Sequence, residues 1–366
     1  MKENLVNTAL LIASIIFSLL ALEVLLRTYN DEWEYINFRF PQGAWFTARH
    51  PVAFDSELGW VPKQEARANF DGTTVTILEG GIRSNGRGEV RDATWPILAV
   101  GDSFTFGDEV SDWETWPAQL EKFSGRKVIN GGVFGYGIDQ AFLRARRLLS
   151  RYRFSTVIFS FIPDDIRRCQ MSVIFNVAKP YFDFKDGRLT LENVPVPPEA
   201  RPSGKGSGFL IALEHSRLVH SVMIRLFPEW WLTGRISWET RVHDEEKGRA
   251  VACALLHELE GLTKSYGSEL IVVGQHQDRE TFSQSVAGES ALSCLSDPAT
   301  RALDLKPALS ELKAKDRSRY DRLYQTPRGH MSAEGNQFVA REILKILTQS
   351  APRRRDQRAA RLFRVG

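Results

Sequence analysis

The sequence predicts an α/β fold: a three-layer α/β/α sandwich around a flavodoxin-like parallel sheet, with an amino-terminal transmembrane helix and a small β-rich apron added to it. Three observations predict it. Short apolar runs at residues 97–100, 127–130, 155–161 and 270–273 alternate with stretches of helical period, the pattern of parallel strands joined by right-handed crossovers. The first three runs pass into Gly-Asp-Ser, Asn-Gly-Gly and Pro-Asp-Asp, as buried strands do when they deliver polar groups to the carboxyl edge of a sheet. Residues 5–22 hold no charge, and at about 1.5 Å per residue they span roughly 27 Å, close to the thickness of a bilayer core.

The chain of 366 residues is long enough for a large core, with 43% hydrophobic and 25% charged residues, ordinary values for a globular protein. The formal net charge of +3 hides an asymmetry, because residues 351–366 hold six arginines against one aspartate. The body is close to neutral, so no nucleic-acid footprint is present. The basic tail reads as a solvated end, with anionic lipid or polysaccharide as its alternative ligand. Cys169, Cys253 and Cys294 have no metal spacing and imply no disulfide framework. In an oxidising compartment one pair could form, but Cys253 falls inside a helical pattern and reads first as a buried free thiol.

In chain order, residues 1–28 read as an uncleaved membrane anchor. Glu23 and Arg27 mark its exit, and the run Ala21-Leu22-Glu23-Val24 lacks the small-x-small pattern of a cleaved signal peptide. A very short stub before a long body places the body on the exported side, periplasmic or extracellular. Residues 29–92 form the apron, rich in turn residues and carrying Trp33, Trp45 and Trp60; residues 73–78 alternate like a short strand.

The α/β domain spans residues 93–350, interrupted by an insertion at about 173–244. Helical patterns fall at 116–123, 139–150, 245–266 and 332–347, and a weaker fifth strand at 301–305. Within the insertion, residues 185–191 read as a hairpin turn and 195–208 as a loop rich in Pro, Gly and Ser. Residues 213–232 read either as a core helix or as a surface helix touching lipid or an acyl chain.

The candidate chemistry starts at Ser103, which follows the strand 97–100. A hydroxyl needs a base within hydrogen-bond reach to act as a nucleophile. Of seven histidines, His215, His220 and His257 lie in helical patterns and read as structural, while His50 and His243 have no supporting context. His276 ends a strand and is a secondary candidate; His330 immediately precedes the final helix. The nucleophile elbow of α/β hydrolases does not fit, because Thr105 stands where its second glycine belongs. A dinucleotide loop does not fit either: Gly132, Gly135 and Gly137 reverse the G-x-G-x-x-G order. No His-Glu-x-x-His and no paired Cys motif supports a metal.

Over roughly residues 97–347 the chain resembles the SGNH hydrolases, also called the GDSL family. Gly101-Asp102-Ser103 is similar to the nucleophile block, residues 130–137 to the glycine block, Asp164-Asp165 to the third block, and His330 with Ser332 and Gly335 to the histidine block. The resemblance implies Ser103 as nucleophile, His330 as general base and Gly135 as an oxyanion-hole amide, and it implies an esterase or acyltransferase that needs no cofactor. Its substrates would be ester-linked acyl groups, of envelope glycans first and of lipids next.

Two departures stand out. The family has Asn-Asp where this chain has Asp164-Asp165, so Asp164 takes the asparagine's place in lining the oxyanion hole and donates there when protonated, a form that an adjacent carboxylate favours by pushing one pKa upward. The family also places an aspartate two or three residues before its histidine, and here those positions hold Arg328 and Pro327. A backbone carbonyl, Asp321 or Asp304 is then left to orient His330. These departures keep open a second class, a catalytically inactive relative that binds a glycan or a protein.

Overall fold

The structure, a computed structural model, describes residues 2–29, 51–70, 72–86, 92–175, 177–198, 216–226, 239–277, 291–325 and 329–349. The basic tail, Trp33, Trp45, His50, His215, residues 199–208 and residues 227–232 lie outside the described residues. The chain divides into two compact units, one of Met1–Ala48, Ser172–Ala178 and Glu199–Arg241, the other of Arg49–Met171, Lys179–Pro198 and Val242–Gly366.

The larger unit is built on an eight-stranded sheet. Its strands are β1 (Arg67–Phe70), β2 (Thr73–Leu78), β3 (Ile82–Arg83), β4 (Asp92–Val100), β5 (Arg126–Asn130), β6 (Thr156–Phe161), β7 (Glu269–Gly274) and β8 (Arg301–Asp304), in the spatial order β8-β7-β6-β4-β5-β3-β2-β1. The five strands from β5 to β8 run parallel. Numbered among themselves they stand in the order 2-1-3-4-5, the flavodoxin-like winding, whose switch point lies between β4 and β6.

Helices cover both faces. Ile97, Ala99, Val128, Ile158, Ile271 and Val273 point to one side and pack on Trp116 and Leu120 of α2 (Trp116–Ser124) and on Val339, Ala340 and Ile343 of the final helix, Ala333–Thr348. Leu98, Val100, Val157, Phe159, Leu270 and Val272 are equally buried and, by strand alternation, point to the other side. There the long helix Glu245–Ser265 packs against β7, and α3 (Ile138–Leu149) against β4. Each Val, Leu, Ile or Phe side chain among them contributes roughly 1.5–3 kcal/mol on removal from water, which is why these strands read as unbroken apolar runs.

The apron is more integrated than a layer packed on the domain. β1, β2 and β3 extend the main sheet as antiparallel strands, with Arg83 paired opposite Asn130. A hairpin of Val52–Asp55 and Gly59–Pro62 meets the loop after β5: Trp60 Nε1 donates to the Phe134 carbonyl at 3.0 Å, and Tyr136 Oη donates to the Trp60 carbonyl at 2.5 Å. Tyr181–Lys185 and Arg188–Glu192 form the hairpin read from the sequence, turning at Asp186 and Gly187, both at positive φ.

The cysteine expectation is corrected. Cys253 is bonded to Cys294 across 41 positions, and Cys169 is the buried free thiol. On the helix Glu245–Ser265 the buried stripe is Val251, Ala252, Leu255, Leu256 and Leu259. Cys253 lies beside that stripe and is only half-buried, free to meet Cys294.

In the smaller unit, Lys2–Tyr29 is one helix whose segment Val6–Thr28 is long and apolar enough to cross a membrane. Near its end Glu23 pairs with Arg27 at 2.8 Å and accepts from Ser216 Oγ and the Leu218 N–H at 2.9 Å, where the helix Arg217–Leu226 starts. A three-stranded sheet of Met171–Ile174, Val177–Ala178 and Glu239–Arg241 occupies part of the insertion.

Candidate active site

Ser103 opens α1 (Ser103–Phe106), a single helical turn entered directly from β4. Gly101 makes that entry possible. It has φ 157°, and a Cβ there would stand 2.3 Å from the Ser160 carbonyl oxygen of β6, so no side chain fits. Asp102 caps the turn by accepting the Phe104 N–H at 3.0 Å. Behind it the glycine loop closes in, with the Val133 N–H donating to the Gly101 carbonyl at 3.0 Å. At Gly132 a Cβ would come within 2.4 Å of the Phe106 nitrogen, and Gly135 turns at φ 75°.

His330 arrives from the far end of the chain. Its carbonyl accepts the Gln325 N–H at 2.7 Å, Met331 pairs with Tyr324, and the Ser332 hydroxyl caps the final helix at the Gly335 N–H. The Phe104 ring supports the imidazole, with centroids 5.1 Å apart. His330 Nε2 and Ser103 Oγ are 3.0 Å apart, within the reach a general base requires. Ser103 is 6% exposed and the His330 side chain 17%, and Ser103 follows β4, one of the two strands that flank the switch point of the sheet.

His330 Nδ1 faces Glu109, whose Oε2 stands 3.6 Å away, an ion-pair distance beyond a hydrogen bond. Burial pulls the His330 pKa down, but the Glu109 contact and the charges of Asp108, Glu109 and Asp102 more than reverse this, leaving it above the ordinary value. Glu109 was not singled out in the sequence. Its only signal is an acidic pair, Asp108-Glu109, in the turn that follows the nucleophile block. The sequence candidates for this place are not found there: Asp304 Oδ1 lies 2.7 Å from His276 Nε2, Asp321 pairs with Arg317 at 2.8 Å, and among the described residues no backbone carbonyl accepts from Nδ1.

Asp164 departs from its expected role. One oxygen is held by Arg167 Nε at 2.6 Å and the other by Arg168 Nη2 at 2.9 Å. Burial opposes its charge, but the two guanidiniums hold the carboxyl well below the usual range. It is therefore ionised and has no proton to donate to an oxyanion.

Asp165 is buried, caps the Ile162 N–H at 3.0 Å and meets Arg168 Nη1 at 2.8 Å; burial and the charge of Asp102 push its pKa up. Arg168 also donates to the Tyr136 carbonyl at 2.8 Å. The Asp164-Asp165 pair thus anchors an arginine that fixes the residue after Gly135.

Arg83 plays the matching part on the other side of Ser103. Fully buried, it donates to the carbonyls of Phe106, Gly107 and Val110, stacks over the Phe106 ring at 4.7 Å and faces Asp112 at 3.4 Å. Among the described residues no cluster of His, Cys, Asp and Glu could hold a metal ion.

The fold and site together are those of an α/β protein presenting a serine and a histidine at the carboxyl edge of a parallel sheet. No protein-family model and no curated protein matches the chain. Solved structures similar to it include a G-D-S-L family protein from Desulfitobacterium hafniense DCB-2 (14% identity, 69% of this chain and 99% of that one, TM-score 0.37). An α/β hydrolase enzyme from the metagenome of Lake Arreo, Spain, is 12% identical over 70% of this chain and 97% of its own, with a TM-score of 0.41. A carbohydrate esterase is 12% identical over 82% of this chain and 87% of its own, with a TM-score of 0.38.

Proposed function

We propose that the protein is a membrane-anchored serine esterase or O-acyltransferase acting on ester-linked acyl groups. The observation that carries this reading is the 3.0 Å approach of His330 Nε2 to Ser103 Oγ at the carboxyl edge of the sheet. Ser103 Oγ attacks the ester carbonyl while its proton passes to His330 Nε2. The tetrahedral oxyanion is met by the Ser103 and Gly135 amides. Collapse breaks the ester bond, and the proton on His330 goes to the departing alcohol. Water or a sugar hydroxyl then gives its proton to His330 and takes the acyl group, and His330 returns that proton to Ser103 Oγ as the acyl–serine bond breaks, which regenerates both residues.

Envelope glycans bearing O-acyl groups are the proposed substrates, with lipid esters next. The membrane-length helix Val6–Thr28 supports a site held near an envelope surface. The disulfide Cys253–Cys294 supports an exported body, because such bonds persist mainly in oxidising compartments. The ionised Asp164 favours a second reading, a binding protein that keeps the fold and lacks a side-chain oxyanion donor.

One experiment separates the two. The full-length protein in detergent is treated with a fluorophosphonate probe alongside Ser103→Ala and His330→Ala. Labelling abolished by either change supports the enzyme; a folded wild type that does not label supports the binding protein.

A further inference from the structure

For Nε2 of a neutral imidazole to accept the Ser103 proton, the ring must carry its own proton on Nδ1. That nitrogen is buried and has no hydrogen-bond partner among the described residues, and the acid it faces is Glu109. We infer that Glu109 is the positioning residue of His330, supplied from the loop that follows the nucleophile and not from the segment that precedes the histidine. This rests on the serine–histidine reading above.

The backbone holds Glu109 where the role needs it. Glu109 has φ 67°, in the left-handed region that residues with a side chain seldom occupy. The turn is pinned at Ser103, whose carbonyl accepts the Asp108 N–H at 3.0 Å, and by the Arg83 bonds to the carbonyls on either side of Asp108-Glu109. Gln325 spans the gap: its side chain donates to the Glu109 carbonyl at 3.4 Å while its N–H donates to the His330 carbonyl. Carboxylate and imidazole are thus fixed to a common bracket. A carboxylate at 3.6 Å favours the Nδ1–H tautomer, and its attraction rises when His330 becomes an imidazolium during attack on the ester.

The charged groups facing the ring are Asp102, Asp108 and Glu109. Asp102 accepts the Phe104 N–H and faces Arg168 Nη1 at 4.0 Å, and Asp108 contributes its charge. Glu109 stands at ion-pair distance from Nδ1.

The test uses full-length protein in detergent and follows p-nitrophenyl acetate hydrolysis against pH, with fluorophosphonate labelling and a titration of His330 by 15N-histidine NMR. Glu109→Gln is expected to lose about 10- to 100-fold in kcat/KM, less than the roughly 10⁴ lost with a fully hydrogen-bonded aspartate in serine proteases. Its acidic limb moves to lower pH, because a neighbouring negative charge is gone. Glu109→Asp keeps the limb near its original position and recovers part of the rate.

A wild type that labels together with Glu109→Gln of unaltered rate and limb overturns the inference while leaving the enzyme reading intact. A wild type that fails to label overturns the enzyme reading instead. In that case, and if Glu109→Gln does not fold, the His330 titration in wild type and Glu109→Ala decides: a titration that moves to lower pH when the carboxylate is removed supports the contact, and one that does not move overturns it.

Discussion

The side-chain oxygen of Asn336 accepts the Trp116 N–H at 2.9 Å, across 220 positions of sequence. The same amide donates to the Met331 and Ser332 carbonyls at 3.0 Å. One buried side chain therefore ties the start of α2 to the two residues that follow His330.

Asn336→Ala strands the Trp116 N–H in the core and frees the His330 segment. A loss of about 2–4 kcal/mol is expected, from broken bonds and a buried donor left unmet. Thermal unfolding in detergent measures it, and the fluorophosphonate labelling rate should fall along with it.

Arg83→Lys tests whether the turn behind Ser103 needs a guanidinium. A lysine amine presents one nitrogen where Arg83 reaches three carbonyls and faces Asp112 with its fork. The variant should lose about 3 kcal/mol or more. A stability within 1 kcal/mol of wild type, on the scale where buried polar networks matter, would show that the network is dispensable.

Asp102 predicts a pH-dependent stability. Burial pushes its carboxyl from an ordinary 3.8 up to about 6, against the opposing pull of Arg168, the Phe104 N–H and His330. A raised folded-state pKa means that the protonated form favours the native state. Its contribution is fully present below about pH 4 and is lost as the pH rises through about 6, a change of about 1–3 kcal/mol. Asp165, pushed up by burial and by Asp102, adds to the same slope. Melting temperatures taken across this window should fall with rising pH in wild type and flatten in Asp102→Asn.

The Cys253–Cys294 bond closes a loop of 41 positions, for which the chain-entropy argument gives about 3–4 kcal/mol. A reductant should lower the melting temperature of wild type, and Cys253→Ser with Cys294→Ser should melt near the reduced value and ignore the reductant.

The parallel core was legible because burial on both faces writes itself as apolar runs, and Ser103 and His330 were legible because each follows or precedes such an element at a loop. Glu109 was not. Its approach to His330 depends on a left-handed turn and on Arg83, a buried arginine in a segment whose sequence looks like surface.

The role of Asp164 was hidden for a similar reason: whether an aspartate is protonated depends on which arginines fold onto it, and Arg167 and Arg168 settle the charge. The pairing of Cys253 had a readable sign, its offset from the apolar stripe of its helix, but its partner lies beyond a stretch with no periodic pattern. The helices Lys306–Lys315 and Arg317–Arg322 escaped because their apolar stripe is thin and half of their residues are charged.

The separation of 227 positions between Ser103 and His330 has a consequence in time. A chain growing at about 5–20 residues per second exposes its serine for roughly ten to forty-five seconds before the histidine is made. Even then the base is in place only once the final helix has docked through Asn336 onto Trp116. The nascent polypeptide is thus chemically disarmed throughout its synthesis, and the last long helix to form arms it.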